Sequence, residues 1–341
     1  MFALKIVADR KIESADIAAP KEPRDDEVQV QIRAVALNHI DVWGWRGMAF
    51  ANRKSGLIPG AEAAGEIVSV GNRVPELRKG QIVALYGAQT CGTCQPCFEG
   101  RDNFCENEKE IYGFHVDGFF REVLNIPARL VVPAPEGIGT IAAALSPITF
   151  GTSEHMLFDN AKLKSGETVL IHAGGSGIGS AAIQLAKAAG AIVITTVGND
   201  NKVQKAFDLG ADHVINYKSQ RFESAARRLT KKKGVDVVFE HVGPSTWKGS
   251  LFCLKKGGRL VTCGSTTGVT AETNLNILYQ QQLRLIGSFG CTKKNVHQVM
   301  VKMAQGIVNP VIDTTISVSQ VEQSLKRLED RLVFGKIVVV L

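Results

Sequence analysis

The sequence predicts an α/β protein in two parts, a β-rich first part followed by a doubly wound parallel sheet. Three features carry that expectation. Strand-like alternation dominates up to about residue 130, a glycine turn follows a buried apolar run within residues 169–179, and strands alternate with helices from residue 168 onward. With 341 residues and 45% apolar composition, the chain is long enough for each part to bury its own core.

In the first part, residues 27–33 read Glu-Val-Gln-Val-Gln-Ile-Arg, a strict alternation that puts Val28, Val30 and Ile32 on one face of a strand. Further β-rich runs at residues 66–70 and 81–86 are punctuated by Gly60, Gly65, Gly71 and Gly80, which suggests a mostly antiparallel domain. The texture changes at Val131-Val132-Pro133-Ala134-Pro135. Beyond it, strands are expected at residues 168–173, 191–196, 213–216, 235–240, 259–263 and 283–288, the six strands of a doubly wound sheet. From about residue 291 there are two helical stretches and a last apolar strand at residues 336–341.

The formal charge of +7 comes from 40 basic and 33 acidic residues. It is spread along the chain apart from Lys231-Lys232-Lys233, a run typical of a solvated helix end. A nucleic-acid role would need a basic face interleaved with exposed aromatics, and aromatic residues are only 6%; the surplus fits an anionic small ligand equally well. There is no apolar run of about 18 residues and no signal-peptide zoning at the start, so no membrane role is expected and the cytoplasm is the expected compartment.

The glycine turn runs from Val169 through Gly174, Gly175, Ser176, Gly177, Ile178 and Gly179 into a helix expected at residues 180–189. A strand, a glycine turn and a helix N-terminus in this order bring backbone N–H groups to a pyrophosphate, with Ser176 in the place of the middle glycine. At the end of the next strand an NAD-binding chain places a carboxylate; here Gly198, Asn199 and Lys202 follow, which favours the 2′-phosphate of NADPH. Asp200 is the competing residue, one small shift of the turn away from the ribose.

Four of the seven cysteines, Cys91, Cys94, Cys97 and Cys105, fall within 15 residues, enough thiolates to close a tetrahedral shell around zinc with no open position. An iron-sulfur cluster would resemble this spacing, but the run lacks the Cys-Pro ending of bacterial ferredoxins. Closed all-thiolate zinc shells are structural.

Together, the β-rich start, the four-cysteine lobe, Gly60-Ala61-Glu62-Ala63-Ala64-Gly65 and the later glycine turn resemble the zinc-containing alcohol dehydrogenase and quinone oxidoreductase family, the medium-chain dehydrogenase/reductase superfamily. The resemblance spans essentially the whole chain. It implies a GroES-like catalytic domain at residues 1–130, a Rossmann cofactor domain at 131–290, and a segment at 291–341 returning to the first. Zinc alcohol dehydrogenases hold a catalytic metal through a cysteine, a histidine of a Gly-His-Glu motif and a third ligand near the domain junction. By motif those places hold Asn38, Ala61 and the Pro147-Ile148 neighbourhood, none of them the family's ligand.

Leu37-Asn38-His39-Ile40-Asp41 is instead similar to the quinone oxidoreductase branch, which implies Asn38 and Asp41 as catalytic candidates. Many members of that branch lack the cysteine lobe, so the chain resembles a mixed subgroup that keeps one structural zinc alone. The resemblance further implies Gly198, Lys202 and Tyr217 around the 2′-phosphate of NADPH, Thr152 near the nicotinamide, and His241, Val242, Gly264, Ser265 and Phe289 along the cofactor. It also implies a homodimer paired along the sixth strand.

The expected activity is therefore NADPH-dependent hydride transfer to the activated double bond of a quinone, enal, enone or enoyl thioester. The Asn38 amide or a backbone N–H would meet the developing oxyanion. Asp41 would orient Asn38 or cap a helix beginning at Val42, and Trp43 and Trp45 would line the substrate site or pack in the core. Two alternatives stand beside this reading. One is a zinc alcohol dehydrogenase with atypical ligands drawn from His39, His155, Asp41 and Glu62; the other is a non-catalytic NADPH-binding protein.

Overall fold

The structure, a computed structural model, describes residues 1–47, 55–108 and 110–341. They divide into two compact units. One comprises Met1–Gly151, Cys291–Gly306 and Ile312–Leu341; the other comprises Thr152–Gly290 and Ile307–Val311.

The first unit opens with strands β1 (Phe2–Ala8), β2 (Lys11–Asp16) and β3 (Glu27–Ala36), continues with β4 (Ala63–Val70) and β5 (Ile82–Leu85), and adds β6 (Val123–Pro127) and β7 (Val131–Pro133). The second unit carries β8 (Thr168–Ile171), β9 (Ile192–Val197), β10 (His213–Asn216), β11 (Val235–Glu240), β12 (Leu254–Thr262) and β13 (Arg284–Gly287). The chain then returns to the first unit with β14 (Ile312–Ile316) and β15 (Lys336–Val340).

In the first unit the sheet order is β14-β15-β3-β4-β5-β7, with β6 also on β3, and all its pairings are antiparallel except β14 with β15. The alternation of β3 works as its sequence suggests, because Val28, Val30 and Ile32 are fully buried between more exposed neighbours. Insertion of β15 between β14 and β3 makes the C-terminal strand a central one, which is why Ile337, Val338 and Val339 are fully buried.

The second unit is a six-stranded parallel sheet in the order β10-β9-β8-β11-β12-β13. This is the doubly wound order, with its reversal between β8 and β11, the place where open α/β sheets bind ligands. Every residue of β11 is buried, as expected for a strand covered on both faces. The α/β class read from the sequence is therefore the observed one.

Three boundaries differ from expectation. The helix after the glycine turn spans Gly177–Ala188 and starts three residues early because Ser176 caps it, its Oγ accepting the N–H of Gly179. Strand β12 reaches back to Leu254 through the polar Lys255-Lys256-Gly257, which carries no apolar alternation to read. The first helix runs His39–Trp45, not from Val42, for reasons given below.

Candidate functional site

In the second unit, β8 ends at Ile171 and the chain turns through Ala173, which takes a positive φ of 48°. The turn is held from β9: Thr196 Oγ1 accepts the N–H of Ala173 at 3.0 Å and its carbonyl accepts that of Gly174 at 2.9 Å. A Cβ at Gly174 would collide with the Thr195 hydroxyl, so no side chain fits there. With Gly179 bonded to the Ser176 cap, the N–H groups of Gly177 and Ile178 engage no acceptor among the described residues, the disposition that a helix N-terminus offers an anion.

Beneath the turn lies a buried polar network. His172 Nε2 is 2.8 Å from Ser250 Oγ and its Nδ1 3.3 Å from Thr196 Oγ1. Glu240 accepts from Ser250 Oγ, Thr246 Oγ1 and the N–H groups of Val242 and Gly243. Ser250 has one hydroxyl hydrogen; if Glu240 takes it, His172 must donate from Nε2 and accept at Nδ1. Burial holds His172 down at about 4, with Glu240 pulling the other way, so the ring is neutral at physiological pH.

The structure locates the implied cofactor residues unevenly. Tyr217 lies against Gly198, where an added Cβ would come within 2.5 Å of its hydroxyl, so this tyrosine needs that glycine. Lys202 closes the capped turn Asp200–Lys202, with Asn199 Oδ1 accepting its N–H at 3.1 Å. Thr152 is buried, Gly264 packs against the carbonyl of His241, and the Ser265 carbonyl accepts the N–H of Gly268. His241 is also buried, its Nε2 2.9 Å from the His172 carbonyl, whereas Phe289 is exposed. The N–H of Val242 is spent on Glu240, which removes it as a donor to cofactor.

In the first unit, the Sγ atoms of Cys91, Cys94, Cys97 and Cys105 all lie within 4.8 Å of one another. Tetrahedral zinc with bonds of about 2.3 Å needs sulfurs about 3.8 Å apart, so a small contraction suffices. Donors already face the sulfurs. The N–H groups of Thr93 and Cys94 and the Asn107 amide reach Cys91 Sγ at 3.4, 3.3 and 3.3 Å, and those of Cys91 and Glu108 reach Cys105 Sγ at 3.3 and 3.4 Å. Hydrogen bonds, led by that from Thr93, lower the Cys91 thiol to about 5, whereas burial pushes the Cys97 thiol up to about 12, a proton that metal binding would displace. The residues fit the metal.

Also in the first unit, Glu62 is fully buried and its carboxylate meets five donors. They are Asn38 Nδ2 at 2.9 Å, the N–H groups of Ile148 and Thr149 at 2.8 and 2.5 Å, Thr149 Oγ1 at 2.9 Å and Lys336 Nζ at 3.0 Å. A widened π-turn at Ser146–Phe150 provides the backbone pair: Phe150 bonds back to Leu145, and the N–H groups of Ile148 and Thr149 point to the carboxylate instead of a helical ladder. A carboxylate offers about four lone-pair sites, so Glu62 has none to spare for a metal or a substrate proton.

Asn38 is equally committed. Its Nδ2 donates to the Ala36 carbonyl at 3.0 Å and to Glu62, and its Oδ1 accepts from Lys336 Nζ at 2.7 Å. Acceptors on one side and an ammonium on the other fix the amide's orientation. Both N–H groups of Asn38 are occupied in this arrangement, so serving an oxyanion would require one of them to be released. Asp41 accepts the N–H groups of Asn38 at 2.8 Å and Gly60 at 3.2 Å; it sits inside the helix His39–Trp45 as the residue whose carboxylate reaches back to the N-cap, not before a helix starting at Val42. Burial raises Asp41 to about 6, against the pull of those N–H groups and of Lys336. Trp45 is buried with the Arg10 guanidinium 5.0 Å over its ring, which is the packing alternative.

A family model described as an alcohol dehydrogenase GroES-like domain matches residues 24–136, and one described as a zinc-binding dehydrogenase matches residues 177–306. The quinone oxidoreductase of Salmonella typhimurium is 33% identical over 270 residues, 77% of this chain and 72% of the relative. This chain is a medium-chain dehydrogenase/reductase. The acryloyl-coenzyme A reductase of Metallosphaera sedula is 29% identical over 331 residues, 96% of each chain. A solved structure described as an NAD-dependent alcohol dehydrogenase is 32% identical with a TM-score of 0.94, covering 100% of both chains.

For a medium-chain dehydrogenase/reductase, the three places matched by motif to the catalytic metal ligands have a specific content here. Asn38 and Ile148 do come together, but on a carboxylate and an ammonium, while Ala61 offers no donor atom. His155 pairs with Asp159 at 2.9 Å, and Asp41 and Glu62 accept from protein donors. Among the described residues, the four cysteines are the one group of three or more His, Cys, Asp or Glu able to hold one. Lys336 and Thr149 were missed by sequence reasoning. A lysine opening an otherwise apolar last strand was the available signal for the first; nothing marked the second.

Proposed function

We propose that this medium-chain dehydrogenase/reductase is an NADPH-dependent reductase of activated double bonds, acting on a quinone, enal, enone or enoyl thioester. The observation that carries the reading is the Asn38–Glu62–Lys336 cluster at the family's metal position: it supplies charge and hydrogen-bond donors but no ligand for a Lewis acid. An unactivated alcohol needs a metal or a base to lose its proton, whereas a conjugated alkene accepts hydride without prior ionisation. The quinone oxidoreductase and acryloyl-coenzyme A reductase relatives support the same chemistry.

NADPH, held at the glycine turn of residues 174–179, would supply hydride to the β-carbon; the charge would develop on the conjugated oxygen, and the α-carbon would take its proton from water. Among the described residues Lys336 donates to Asn38 and Glu62, and an ammonium with three N–H groups is the donor closest in kind to what the enolate requires. Asn38 can help only by releasing Ala36. NADPH oxidation over a panel of quinones, enals and enoyl thioesters tests the reading, and turnover with at least one class is expected. Alcohol oxidation abolished by a chelator while the fold persists would instead establish a zinc alcohol dehydrogenase; tight NADPH binding with no turnover on any substrate would leave a binding protein.

The NADPH assignment rests on Gly198, Lys202 and Tyr217, since the similar solved alcohol dehydrogenase is described as NAD-dependent. Lys202→Ala removes a charge-assisted contact of roughly 1.5–3 kcal/mol and should weaken NADPH binding about tenfold or more while sparing NADH. Equal losses for both cofactors in a fluorescence titration would contradict it. The four cysteines hold one structural zinc. We also assign a homodimer through β13, an edge strand whose neighbourhood exposes Leu275, Tyr279 and Leu285. Light scattering at micromolar concentration should give twice the 36.7 kDa chain mass, and a monomer would contradict the assignment.

A further inference from the structure

Asp200 is the one carboxylate between Gly198 and Phe207, two residues from both Gly198 and Lys202. Left to itself, such a group works against NADPH in two ways, repelling a 2′-phosphate and accepting ribose hydroxyls as the acid of NAD-binding chains does. In this fold it is tied down: Asn216 Nδ2 donates to Asp200 Oδ1 at 2.7 Å.

Asn216 is well placed to hold it. It is the last residue of β10 and pairs with Val197, the last residue of β9, so the two strand ends lie side by side. Its Oδ1 accepts the N–H of Lys218 at 3.0 Å, and its carbonyl accepts the N–H groups of Ser219 and Gln220, both at 3.2 Å. An amide oxygen facing an N–H fixes the amide nitrogen toward the carboxylate. The next residue along, Tyr217, has its hydroxyl at Gly198. One strand end therefore presents the tyrosine and restrains the acid.

We infer that Asn216 is a positioning residue for cofactor choice, holding the Asp200 carboxylate on the β10 side so that the turn accepts a 2′-phosphate. The inference rests on the NADPH reading and adds to it a residue that touches no cofactor. The bond is exposed, so its effect is that of a single hydrogen bond in water.

The test is a titration of NADPH and NADH fluorescence on the full chain carrying Asn216→Val, Asp200→Asn, or both. Asn216→Val should lower the preference for NADPH over NADH by about fivefold, the size of one net hydrogen bond. In the Asp200→Asn background the same change should leave the preference unmoved, because no carboxylate remains to release. Asn216→Asp keeps an acceptor for Lys218 and repels Asp200, so it should also lower the preference and serves if the valine variant folds poorly. An unchanged preference in Asn216→Val, or an equal fall with and without Asp200, overturns the inference while leaving the NADPH assignment standing. A wild-type protein without NADPH preference overturns that assignment itself.

Discussion

Lys336→Met is expected to lower the stability of the first unit by roughly 3–5 kcal/mol, the scale found when one partner of a buried ion pair is removed. Lys336 and Glu62 are 3.0 Å apart with side chains 5% and 0% exposed, so water cannot replace the lost charge. Four donors remain on Glu62, but all are neutral, and Asn38 Oδ1 loses the ammonium it accepts from. Lys336→Arg keeps the charge and should recover much of the loss.

The deficit should also depend on pH, through Asp41. Its folded pKa of about 6 exceeds the unfolded value of about 3.9, so protonation favours the fold. That contribution is complete below about pH 4 and is lost as pH rises through about 6. Lys336 lowers the Asp41 pKa, so its removal raises it, and the variant should regain part of its stability as pH falls from about 7 to 5. Urea unfolding at pH 5 and pH 8 measures both effects. A loss below about 1 kcal/mol, or one identical at the two values, would mean the pair contributes little.

Removing zinc should have the second large effect, and on the lobe before the chemistry. Metal analysis should find about one zinc per subunit in the wild type and close to none in Cys105→Ser, since a closed thiolate shell needs all four ligands. The binding free energy of a structural zinc is largely folding free energy, so the metal-free lobe should become open to limited proteolysis around residues 91–105. Whatever protein stays folded should still oxidise NADPH with its alkene substrate. Loss of that activity with the proteolytic pattern unchanged would give the zinc a catalytic role and end the structural reading.

The parts of this protein that are legible in its sequence are those whose cause is local. Alternation in residues 27–33, the strand-to-glycine passage at residues 169–179 and four cysteines within 15 residues each state their structure through spacing alone. The helix starts differ from expectation by a few residues because Ser176 Oγ caps one helix and the Asp41 carboxylate reaches back to the Asn38 N–H at the other, and such a start is recognised by a hydrogen bond rather than by a residue type. The candidate catalytic cluster was only half legible. Asn38 and Asp41 belong to a short motif, but their roles depend on partners 19 to 298 residues away along the chain. Lys336 becomes a buried cation because β15 enters the sheet between β14 and β3, and Glu62 loses its free lone pairs because a π-turn at Ser146–Phe150 aims two N–H groups at it. The same holds for cofactor choice. Asp200 and Asn216 are 16 residues apart, and only the side-by-side ending of β9 and β10 brings the amide onto the carboxylate. Composition and spacing determined the class of fold and the presence of a dinucleotide turn and a thiolate lobe. Tertiary structure alone decided which polar atoms remain unspent, because a hydrogen-bond donor or acceptor can act on a ligand only after the fold has taken its share.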